Sequence, residues 1–140
     1  ASAKTQCHTK TACGHTIVCA MSEDQHNHQV LKDLGTESRA LRQLIPDVYR
    51  GFADMSKAAL GPGGALDPRI KELMAMAIGI VHGCDGCIAS HARGAVRAGA
   101  SKQEAADAIG VAIMMHGGPG TVYGARAFAA FCEFADAAEG

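Results

Sequence analysis

No tryptophan occurs among the 140 residues, and the aromatic side chains amount to four phenylalanines and two tyrosines. With no basic tract interleaved among them, they offer a nucleic acid nothing to stack on or follow. Neither sign of charge dominates. Thirteen Lys and Arg stand against fourteen Asp and Glu, a formal net charge of −1, and there is no acidic tail. Long apolar runs are missing too: the richest, Leu73 to Val81, falls far short of the roughly 20 residues that span a bilayer. Thr16 to Met21 is shorter than a secretory apolar core and lies among cysteines and histidines. These absences predict no nucleic-acid partner, no membrane partner and a cytoplasmic location. In that compartment structural disulfides are disfavoured, so a close cysteine pair reads as redox-active or metal-binding. Period-two alternation is absent as well, which predicts an all-α fold with no sheet.

Cysteine and histidine are plentiful, and they divide the chain near residue 30. Cys7, Cys13 and Cys19 lie before it, with His8, His15, His26 and His28. Ala1 to Gln29 has almost nothing to build a core, so residues 1–29 read as an extension and residues 30–140 as one helical domain. Within the extension, Cys7, His8, Cys13, His15 and Cys19 form a soft ligand set that would suit zinc or copper(I), although their spacing follows no defined metal motif.

From Val30 onward the pattern is helical. Pro46 stands at the first position of a segment running to about Leu60, where Gly61-Pro62-Gly63-Gly64 stops it. Asp67-Pro68 supplies an N-cap and a following proline for a helix through Val81, apolar on most of its faces. Gly83 is a C-terminal stop. The next helix starts at Cys84-Asp85-Gly86-Cys87 and runs to Ala98, and Ser101 with Glu104 forms a capping box for a helix ending near Met115. After Gly117-Gly118, Pro119 opens a last helix, with Val122, Phe128, Phe131, Cys132 and Ala135 expected inside. Five or six helices result, and the many alanines and glycines let them approach closely.

The chemistry gathers on one stripe. With Cys84 in the first turn of its helix, positions 84, 87, 88, 91, 92 and 95 share a face, and Ile88, Ala92 and Ala95 floor it. A helix N-terminus favours thiolate. His91 sits one turn beyond Cys87, placed to take its proton. Two cysteines separated by two residues at a helix start close a disulfide with little rearrangement. If Gly83 is the turn between antiparallel helices, Glu72 lies opposite about residue 94 and can orient the His91 imidazole. The plainer alternative pairs Glu72 with Arg69 at the surface.

Glu72, eleven intervening residues and then Cys84-x-x-Cys87-x-x-x-His91 resemble the signature of the AhpD-like alkyl hydroperoxidases of the carboxymuconolactone decarboxylase family. Ala58 to Asp67, Gly99-Ala100-Ser101 and Gly117-Gly118-Pro119 match in the surroundings, so the resemblance covers about residues 40 to 135. It implies an AhpD-like helical array assembled as a trimer or hexamer, with thiol-dependent reduction of a hydroperoxide, or exchange of disulfides, and turnover by a dithiol or protein reductant. No cofactor is implied. Cys87 would attack, Cys84 would be its more exposed resolving partner, and Glu72 and His91 would relay the proton. One position departs from the pattern. AhpD carries a second histidine immediately before the second cysteine, where this chain has Gly86.

Two other readings compete. Cys84, Cys87 and His91, with His82 or His116, would supply four zinc ligands in a non-catalytic metal-binding or assembly protein. A lyase of the decarboxylase type is the other, although those members do not rely on a cysteine pair. His82 and His116, each at a helix end before glycine, otherwise read as compensating the helix dipole. Cys132 and the methionines at 74, 76, 114 and 115 read as apolar filling.

Overall fold

The structure, a computed structural model, describes residues 25–140. The Cys7, His8, Cys13, His15 and Cys19 set therefore lies outside the described residues. Six helices follow one another: α1 (His26–Leu44), α2 (Pro46–Leu60), α3 (Pro68–His82), α4 (Asp85–Arg97), α5 (Lys102–His116) and α6 (Gly118–Glu139). No strand occurs among the described residues, and the fold is all-α, as its patterning requires.

The capping signals act where they stand in the sequence. Asp67 accepts a hydrogen bond from the Arg69 amide, and proline follows in the first turn of α3. Ser101 and Glu104 complete a reciprocal capping box at the start of α5. Gly83 closes α3 in the left-handed conformation at φ 62°, which reverses the chain directly into α4. Helix α1 begins at His26, four residues before the expected boundary, because its N-terminus is capped from far away. Glu133 of α6 accepts hydrogen bonds from the Asn27 amide at 3.0 Å, the His28 amide at 2.9 Å and both side chains at 2.6 Å. Burial by itself pushes the Glu133 carboxyl up, but these hydrogen bonds from Asn27 and His28 outweigh it and hold it below the usual carboxylate range.

The core lies between α3, α4, α5 and α6. Met76, Ile80, Ile88 and Phe131 are its largest fully buried apolar side chains, with Ala89, Ala92, Ala95, Ala105, Ala127 and Ala130 between them. These alanines bring the helix axes close, and the scarcity of aromatics is thereby accommodated. Phe131 and Cys132 are inside as expected, but Val122 is exposed, because the first turns of α6 pack on α5 through Gly120 and Gly124 and carry Val122 on the opposite face. Helices α1 and α2 bury no residue of their own.

Candidate active site

Gly83 sets the register of the α3–α4 hairpin. Gly79 of α3 lies against Cys87, to whose Cβ a side chain at 79 would come within 3.3 Å. About two turns further from the corner, the Glu72 carboxylate occupies the place of a side chain at Gly94, with its atoms 2.5–2.7 Å from where a Cβ would be. Only glycine at 94 leaves that notch. From it, Glu72 Oε2 reaches His91 Nδ1 at 2.7 Å. The pairing of Glu72 with Arg69 does not form; Arg69 turns instead to Glu104 at 3.3 Å. Both members of the Glu72–His91 pair are partly shielded, with side-chain exposures of 17% and 26%. With Nδ1 engaged by the carboxylate, Nε2 is the ring nitrogen left for proton transfer.

Cys84 and Cys87 are joined as a disulfide, their Cα atoms 5.2 Å apart. Cys84 is the N-cap of α4, and its Sγ accepts a hydrogen bond from the Cys87 amide at 3.2 Å. That donor would also serve a Cys84 thiolate. Ile88, Ala92 and Ala95 are buried beneath the stripe. One expectation is reversed: Cys87 is the exposed residue of the pair and Cys84 is half-buried. The cap position turns Cys84 back toward the α3–α4 corner, where Tyr123 packs against Gly83, while the first turn of α4 carries Cys87 outward.

The four-ligand zinc set is not brought together. Cys84 and Cys87 bond to each other and His91 is held by Glu72, while His82 and His116 end α3 and α5. Among the described residues no group of three or more His, Cys, Asp or Glu side chains is placed to hold a metal ion. Nor is any described helix long and apolar enough to cross a membrane.

Three neighbours of the site had no linear signal. Leu34 of α1 lies over Gly86, with its Cδ1 2.5 Å from where a Cβ at 86 would stand. Arg126 of α6 approaches Asp85 with Nη1 3.6 Å from Oδ1. A cleft of about 520 Å3 opens beside Asp85 and Ile88, rimmed by Arg126, Glu133 and the start of α1. Glu133 alone left a hint in the sequence, as an acid between the apolar Cys132 and Phe134.

The carboxymuconolactone decarboxylase family model matches residues 46–130, the span from α2 to late α6 that holds the whole constellation. The chain belongs to that family. An uncharacterized protein of Cupriavidus necator is 35% identical over 101 residues, 72% of this chain and 88% of that one. A protein of Paracoccus denitrificans, named for its place in the cox locus and also uncharacterized, is 37% identical over 100 residues, covering 71% and 86%. Among solved structures, the apo crystal structure of a family member from Legionella pneumophila aligns with a TM-score of 0.76 at 36% identity. The alignment covers 80% of this chain and 99% of that one. Membership in the family is consistent with redox and with lyase chemistry alike, so the choice between them rests on the site.

Proposed function

We propose that this family member is a thiol-dependent antioxidant peroxidase in which Cys84 and Cys87 carry the electrons and Glu72–His91 relays the proton. The observation that carries the reading is the 2.7 Å contact between Glu72 and His91, on the helix stripe that also holds the disulfide. A carboxylate-oriented imidazole one turn from a thiol is a base with a proton to take.

In the reduced enzyme, His91 takes the Cys87 proton and the thiolate attacks the terminal oxygen of a hydroperoxide. The O–O bond breaks, the alcohol leaves with a proton, and Cys87 becomes a sulfenic acid. Cys84, its sulfur already held by the Cys87 amide, attacks Cys87 Sγ; the S–S bond forms and water departs. An external dithiol or protein reductant then supplies two electrons and ends as its own disulfide, with its attack directed at the more exposed Cys87.

The reading includes a homo-oligomer, a trimer or hexamer. Val48, Phe52 and Met55 on α2, Met74 and Ile78 on α3, and Met114 and Met115 on α5 are all exposed in the single chain. Exposed apolar surface on this scale is what subunit association covers.

The test uses peroxide consumption with a dithiol reductant. Cys87→Ser abolishes consumption and sulfenic labelling together. Cys84→Ser leaves a trappable sulfenic acid on Cys87 and stops after about one equivalent, since the resolving thiol is gone. Wild-type turnover by both single variants refutes the reading, and the opposite pattern of labelling exchanges the two roles.

A further inference from the structure

We propose that Arg126, acting through Asp85, is a positioning residue that sets the redox equilibrium of the Cys84–Cys87 pair; the inference rests on the redox reading above. Asp85 stands between the two cysteines and opens α4. Its carboxylate adds negative charge beside sulfurs that can ionise only once the disulfide is reduced. Left alone, it opposes the thiolate that the helix N-terminus favours.

Arg126 answers that charge from α6. Its guanidinium lies 5.1 Å from the centroid of the Tyr123 ring, and the same ring packs against Gly83 at the corner before Cys84. The arginine is thus braced along an aromatic face and directed at Asp85, 3.6 Å away. The other charged or titratable groups near the pair cannot substitute for it. Glu133, on the rim of the same cleft with His26, is an acid already engaged by Asn27 and His28. His91 is held through Nδ1 by Glu72 of α3. Among the described residues that line the cleft, Arg126 is the one arginine or lysine.

The equilibrium is a balanced exchange. Reduced dithiothreitol gives two electrons and its two thiol protons and leaves as its cyclic disulfide; the Cys84–Cys87 bond breaks, and each protein sulfur ends as a thiol, or as a thiolate once its proton passes to solvent. Whatever stabilises the thiolate pulls this exchange toward the reduced protein. Arg126→Gln leaves Asp85 uncompensated and shifts the equilibrium about threefold toward the disulfide, a modest factor because both side chains are about half exposed. Asp85→Asn shifts it about threefold the other way. Arg126→Lys keeps the charge and stays near wild type.

The experiment equilibrates the full chain and the three variants with dithiothreitol of graded oxidation, traps thiols by alkylation and weighs the products. Thiolate absorbance against pH is followed in parallel. The expected result is opposite shifts for Arg126→Gln and Asp85→Asn, rescue by lysine, and a smaller spread at high salt. Variants that share the wild-type equilibrium but differ in melting temperature overturn the inference, since Arg126 then only braces the fold. A lysine variant that behaves like the glutamine variant overturns it too. A wild-type pair that never exchanges with dithiothreitol overturns the redox reading and the inference with it.

Discussion

Helices α3 to α6 and helices α1 to α2 are built on different terms. The four later helices bury apolar residues against one another and hold Glu72, Cys84, Cys87 and His91 on the α3–α4 hairpin. The two earlier helices bury none, and α2 exposes Val48, Phe52 and Met55 along its length. An amphipathic helix draws most of its stability from a surface to lie on. The later helices find that surface in the same chain, and α2 lacks it there. The site rests on the self-sufficient half and is only touched by the other, through Leu34 and the start of α1.

The sharpest way to break this contrast is to compare Phe131→Ala with Phe52→Asp. Phe131 is fully buried, and its truncation should lower the unfolding free energy by about 3–5 kcal/mol at every protein concentration. Phe52→Asp should dissociate the proposed oligomer, and its stability cost should vanish at concentrations where wild type is also monomeric. Light scattering with urea unfolding across a dilution series reads both. Equal costs in the dilute monomer would show that α2 has an internal partner after all.

A smaller effect tests how α1 is held. Glu133→Gln weakens a carboxylate cap shared by two amides and two side chains, and should cost about 1–2 kcal/mol near neutral pH. The sign of its pH dependence follows from the lowered Glu133 pKa. The stabilisation is complete above the ordinary carboxylate range and is lost as pH falls through the depressed value. The gap between variant and wild type should therefore close in acid, as read by urea unfolding at several pH values. A gap that widens on acidification contradicts the assignment.

The smallest effect concerns the place where the two halves touch. Gly86→His pushes a side chain into the space of Leu34 and should cost about 1 kcal/mol. Adding Leu34→Ala to Gly86→His should recover part of that loss in thermal melts. No recovery would mean that the strain lies within α4 itself.

What the sequence disclosed was local. Asp67-Pro68, Gly83 and the Ser101–Glu104 box each act within a few residues, and the boundaries of α3, α4 and α5 follow from them. The Glu72–His91 contact was legible for a related reason: a two-residue corner, Gly83-Cys84, makes the register of two helices a matter of counting. The start of α1 depends on Glu133, more than a hundred residues away, and no spacing rule reaches that far. Leu34 over Gly86 and Arg126 beside Asp85 are likewise products of helices that meet only after folding. The exposures of Cys84 and Cys87 were misjudged because the cap residue turns inward at the corner, a detail of backbone direction that residue spacing does not carry.

The cap on α1 also imposes an order on synthesis. A ribosome releases residues 26 to 44 long before residue 133, so α1 emerges with its first amides unanswered. It must wait while α3, α4 and α5 are made, and its anchor arrives with the second half of α6. The N-terminal helix can lie on α4 earlier through Leu34, but its first amides are answered only when the chain is nearly complete.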